Sequence, residues 1–237
     1  MLRDRLFLIA PAFFLVATLV GFSRSFYLQP YFEFPNLPRH LHIHGVVLTL
    51  WFVVACIQPL LVAYNQRNFH RQLGMAGIAI AVGVVLTGIW ALVARGVSDL
   101  EHNPYRDAGN IASLVQFSLC VGFGMFYRRN REMHKRLMLI ASIPILAPAL
   151  DRASRIPHLK EFIADLLSWF PAPSEIAFAI LSFLFLLFVV VLNDIIIERR
   201  VHRGTVVGLI SIFVLSPAVT FLLVASGLWA QTVNWMI

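Results

Sequence analysis

Three short stretches repeat one arrangement of residues that could hold a cofactor. Each reads Arg, any residue, an apolar residue, His, then Arg or Lys: Arg67-Asn68-Phe69-His70-Arg71, Arg131-Glu132-Met133-His134-Lys135 and Arg199-Arg200-Val201-His202-Arg203. Each His stands where a helix is expected to begin. Basic neighbours and the positive end of a helix both favour the neutral imidazole, the form that ligates metal. Three such rings at one depth suit zinc or another first-row transition metal with a fourth position open. Two of them, His70 and His134, could instead clamp haem b from opposite faces, with Arg71 and Arg136 meeting the propionates and His202 as a neighbour. The same turns also suit a plainer role as interfacial anchors touching lipid phosphates.

A second cluster reads His40-Leu41-His42-Ile43-His44. On a helix His40 and His44 share a face, and in an extended chain all three alternate onto one side. Either shape could bind copper or zinc, and His44 could ligate a haem on the outer leaflet. A surface cluster at a helix start is the alternative. His102 and His158 fall in outer loops. Asp194 and Glu198 lie near His202, where Asp194 could orient an imidazole or pair with Arg199 or Arg200. A metal-dependent hydrolase or oxygenase built on His70, His134 and His202 would need Asp194 or Glu198 as its acid or base. Gln58 and Gln116 suit hydrogen bonding between helices. No Walker-type loop, His-Glu-x-x-His or Gly-x-Ser-x-Gly occurs, and no Lys lies in an expected span to form a Schiff base.

The elements that must position these residues are membrane spans. Apolar residues make up 59% of the 237 and charged residues 13%, against about 45–50% and 25% in soluble domains. That excess excludes a soluble enzyme, a disordered chain and a disulfide scaffold. About 20 apolar residues cross a bilayer as a helix, and seven stretches qualify: Leu6–Phe22, Gly45–Tyr64, Leu73–Val93, Ile111–Tyr127, Leu137–Leu150, Ile176–Ile197 and Val206–Val233. The first is read as a span and not as a cleaved leader. The fifth is short and carries Pro144 and Pro148, so it must borrow residues from Met133 onward or sit shielded inside the bundle. Cys56 and Cys120 fall mid-span as small apolar residues.

The expected fold is thus all-α, a single transmembrane domain over residues 1–237 with seven helices. The His-to-His offsets of 64 and 68 divide it into one leading helix and three helical hairpins. With the N-terminus inside, 12 of the 19 basic residues fall on the inner side with four acids, which favours N-in, C-out. The net charge of +7 reads as topology and attraction to membrane lipids, and no soluble basic domain exists to bind nucleic acid. The outer face carries an aromatic loop, 23–43, and an amphipathic segment, about 158–170, read as an interfacial helix or a docking element for a partner in a membrane complex.

Two segments carry a resemblance: HGVVLTLWFVVACIQPLLVAYNQRNFHRQLG and RNREMHKRLMLIASIPILAPALDR. Residues 40–155 resemble a group of uncharacterised bacterial multi-pass membrane proteins. That group has a His opening one span, a Gln near its far end, a His-Arg-x-x-Gly turn and a His-Arg-x-Met turn closing on Arg. The corresponding residues are His44, Gln58, His70 with Gly74, His134 with Met138, and Arg152. The resemblance implies a bacterial inner membrane. There is a weaker likeness to transmembrane b-type cytochromes and to membrane proteins that assist oxidase assembly. It implies His70 and His134 as an inner ligand pair, while His44 lacks a partner, since Asn110 and Ser113 occupy the region where one would stand. The expected function is therefore redox or cofactor handling through haem b or a metal, with a non-catalytic membrane subunit or assembly factor as the alternative.

Overall fold

The computed structural model describes residues 5–32, 35–98, 104–169 and 174–226. His102, Phe170 and the end of the last expected span, residues 227–233, lie outside them. The described residues form helices and turns without a strand. In order they are α1 (Arg5–Gly21), α2 (Arg39–Ala63), α3 (Arg67–Ser98), α4 (Pro104–Phe126), α5 (Arg131–Ala153), α6 (Pro157–Leu166) and α7 (Ser174–Glu198). A last rod joins α8 (Arg203–Ile210), a π-helical stretch (Ser211–Leu215) and α9 (Ser216–Ala225). Six of these, α2, α3, α4, α5, α7 and the final rod, are long and apolar enough to cross a membrane; α1 is apolar but has 17 residues.

The turns before α3 and α5 follow from local chemistry. Asn65 takes a left-handed backbone at φ 57°, a conformation Asn tolerates better than most residues. This closes α2: the Gln66 N–H reaches the Leu61 carbonyl at 2.7 Å and the Asn65 N–H reaches that of Val62 at 3.1 Å, satisfying carbonyls that a helix end leaves unpaired. Before α5, the Asn130 side chain accepts from the N–H groups of Glu132 and Met133, both at 3.2 Å.

α5 is the axis of the bundle and packs against α1, α4, α7 and α8. It is the least apolar of the six spans, with mean hydropathy 1.2, yet 72% of it is buried; α7 is the most apolar, at 2.8, and 17% buried. A lipid-facing helix must be apolar all round, whereas a central one can carry Ser142, Pro144 and Pro148 because its neighbours shield them. Helix α5 starts at Arg131, so it gains the extra length before Leu137 that its short apolar stretch required. Trp51 of α2 donates to Ser142 Oγ at 3.1 Å and meets Phe117 edge-on at 4.8 Å. Gly21 lets α1 cross α5 closely, since a Cβ there would collide with the Ala149 carbonyl.

On the far side, α6 seats Ile163 and Leu167 against Phe178 and Leu181 of α7 and leaves Phe162, Leu166 and Trp169 exposed. Cys56 and Cys120 are free thiols, and the Cys56 thiol donates to the Pro11 carbonyl at 3.0 Å.

Candidate functional site

The structure brings His70 and His134 together. Each is the fourth residue of its helix, α3 and α5, so each side chain reaches back toward the end of the preceding helix. His134 Nδ1 donates to the Gly124 carbonyl at 2.8 Å. Gly124 is in the last turn of α4, where the carbonyls have no helical partner. His70 Nδ1 donates to the Gln58 carbonyl at 3.3 Å. A carbonyl can only accept, so Nδ1 carries a proton in both rings, and in the neutral imidazole the lone pair is then on Nε2. The two ring centres are 6.5 Å apart with their planes at 88°.

Both rings line a cavity of about 1530 Å³ between α1, α2, α3, α4 and α5. Its depth is apolar, with Phe7, Leu8, Trp51, Val54 and Leu139. Arg67, Arg71, Arg128, Arg129, Arg131 and Lys135 also line it, together with no Asp or Glu. Gln58 lines it as well, and its Oε1 is buried without a hydrogen-bond partner. Lys135 pairs with Glu132 at 2.7 Å and lies over the Phe7 ring.

Three expected site residues, Arg136, His202 and His44, are elsewhere. Arg136 is 1% exposed and does not line the cavity. It bonds Glu132 at 2.6 Å, Asp194 at 2.7 Å and Glu198 at 2.7 Å. Lys135, one residue earlier and so about 100° round the helix, lines the cavity instead. His202 precedes α8 as its N-cap, and its Nδ1 accepts from the Gly204 N–H at 2.9 Å. Burial first, then the nearby Arg136 guanidinium, push the His202 imidazole below its ordinary pKa. That suits a ring whose Nδ1 must accept. The three histidines are therefore not gathered as three ligands, and no group of three or more His, Cys, Asp or Glu fit to hold a metal ion occurs among the described residues.

Asp194 is fully buried. It pairs with Arg136 rather than Arg199 or Arg200, and it also accepts from the Thr205 hydroxyl and from the His202 backbone N–H at 3.0 Å. It thus holds the turn, and not an imidazole.

His44 lies about 21 Å from Gln58 along α2 at 1.5 Å per residue. Its Nδ1 meets Thr87 Oγ1 at 3.0 Å. The Thr87 hydroxyl donates to the Gly83 carbonyl at 2.7 Å, so it accepts from His44. Residues 40–44 are helical: His40 stacks near Trp90 and His42 near Phe26.

Gln58, expected to hydrogen-bond between helices, and Arg128 and Arg129, expected only to set topology, all line the cavity. Pro59 beside Gln58, and the run Arg128-Arg129-Asn130-Arg131, were the available signals. Comparison with protein families, with curated proteins and with solved structures finds no match for this chain.

Proposed function

We propose that this multi-pass membrane protein binds haem b between His70 and His134 at the cytosolic end of its bundle, in a redox or cofactor-handling role. One observation carries the reading: two imidazoles from different helices, each with Nδ1 tied to a carbonyl, meet 6.5 Å apart in one cavity. His70 and His134 would hold the iron through Nε2, since Nδ1 of each is tied to a carbonyl. A carbonyl on the outer nitrogen is how ligating histidines are ordinarily oriented.

The residues present fit the group. Apolar walls at Trp51, Val54 and Leu139 exclude water from a macrocycle, and Arg71 and Lys135 can pair with its carboxylates. Haem bound there supplies one-electron transfer. The chain's own part is to hold both rings by Nδ1, to keep the cavity dry and to neutralise the carboxylates.

The same reading takes α1 as a seventh span, puts the N-terminus and the basic turns inside, and places the protein in a bacterial inner membrane on the strength of the resemblance. A second reading, a subunit docking a larger membrane complex, draws on the exposed Phe162 and Leu166 of the outer helix α6 and on Trp169 in the turn after it.

The test is an absorption spectrum of the detergent-purified protein, before and after dithionite. A Soret band that shifts on reduction and is lost in both His70→Ala and His134→Ala is expected. A colourless protein that stays colourless after haem is added would sink the haem reading.

A further inference from the structure

We infer that the rim of the cavity is a binding site for the phosphate headgroup of an anionic phospholipid, with an acyl chain running into the apolar depth. The inference does not rest on the haem reading, because it needs the arginines and not the imidazoles. Arg67 and Arg71 come from the start of α3, and Arg128 and Arg129 from the turn after α4. All four line the one cavity, and none has an ion-pair partner among the described residues. Among the described residues no Asp or Glu lines that cavity. Positive-inside topology asks only that basic residues stand at the inner ends of spans. It does not aim four of them, from two separate turns, at a single acid-free hollow.

The chemistry favours phosphate. The planar guanidinium fork matches two phosphate oxygens at once, and Arg is the residue suited to such contacts. The volume, about 1530 Å³, exceeds the roughly 300–1,000 Å³ usual for one small ligand. The apolar wall of Phe7, Leu8 and Pro11 from α1 continues inward from the rim. A lipid of the inner leaflet presents its headgroup at that depth and its chains in that direction.

A free phosphate ester would satisfy the same arginines, and the experiment separates the two sources. The full-length protein is delipidated in detergent and examined by native mass spectrometry with phosphatidylglycerol, with phosphatidylcholine, and with phosphatidylglycerol in the presence of inorganic phosphate. A single retained phosphatidylglycerol, little phosphatidylcholine and no displacement by phosphate at the lipid's concentration are expected. Retention should fall roughly tenfold in Arg67→Gln/Arg71→Gln and again in Arg128→Gln/Arg129→Gln, since a charge-assisted hydrogen bond contributes about 1.5–3 kcal/mol and 1.4 kcal/mol is tenfold. The four Arg→Lys changes together keep the charge, and so guard against a folding defect; they should keep the lipid preference with weaker retention. His70→Ala should leave retention unchanged. Equal retention of the two lipids, or indifference to all four Arg→Gln changes, would overturn the site. Displacement by equimolar phosphate would overturn the lipid.

Discussion

The turn into α5 and the turn into α8 carry nearly the same residues, and the fold uses them in opposite ways. Before α5, Arg131 opens the helix, so His134 falls in its first turn and reaches back to Gly124 and out to the cavity. Before α8, the chain is still leaving α7 at Arg199, and His202 caps the next helix instead of sitting within it. A shift of a few residues in where the helix begins converts a ring facing a cavity into a ring that holds a backbone N–H. The turn into α5 sets Arg128 and Arg129 on the cavity; the turn into α8 is held by Asp194, which accepts from the His202 N–H and also pairs with Arg136 of α5. The two turns teach that a repeated pattern fixes residue types but not the role of a side chain, because role depends on helix phase and on what packs opposite.

The largest effect separating them should come from Asp194. Asp194→Ala leaves Arg136 buried with part of its charge unanswered, and loss of one partner of a buried pair costs about 3–5 kcal/mol. Thermal unfolding in detergent should show that loss. His134→Ala removes one hydrogen bond to a helix-end carbonyl, at about 1 kcal/mol, while abolishing the proposed haem spectrum. If the two variants unfold alike, the distinction between a structural turn and a binding turn fails.

Gly204 comes next. A Cβ there would lie 3.0 Å from the Met133 Cα and 3.2 Å from His202 Nδ1. Gly204→Ala should therefore push α8 off the start of α5 and destabilise the protein by about 1–3 kcal/mol, as overpacking does. An unchanged melting temperature would mean that α8 does not pack so closely on α5.

The pH dependence is smaller and has a definite sign. The folded pKa of His202 is depressed, so its contribution is fully present above the unfolded value of about 6.5. It is lost as pH falls through the folded value, where a protonated Nδ1 can no longer accept from Gly204. Asn also caps helices well. His202→Asn should thus match the native protein near pH 8 and lose less stability on going to pH 5. A parallel loss in both would show that His202 is not the group responsible.

The smallest effect should be a gain. Arg199 sits at φ 58°, a left-handed conformation that costs a residue with a Cβ about 1–2 kcal/mol and Gly nothing comparable. Arg199→Gly should recover about 1 kcal/mol in the same unfolding assay, net of Gly's greater freedom when unfolded. The equivalent change at Asn65 should recover less, because Asn tolerates that backbone.

Much of the fold was legible in the chain. Composition and the length of apolar runs pointed to a helical membrane protein with seven spans, of which six are helices of membrane length, because a chain in lipid must satisfy its backbone within itself. The shortness and two prolines of residues 137–150 left two outcomes open, a start further back or a shielded place in the bundle, and α5 shows both. Local residue types also set the turns: Asn65 and Asn130 act within a few bonds of themselves, and short-range effects can be read from short-range sequence. What tertiary structure alone decided is which side chains meet. His70 and His134 are 64 positions apart, and only the packing of separate hairpins puts them in one cavity while leaving His202 out. Arg136 and Lys135 are adjacent in sequence, yet one is buried against α7 and the other faces the cavity. That choice depends on the rotation of α5 among four neighbours, which the pattern of a single helix does not encode.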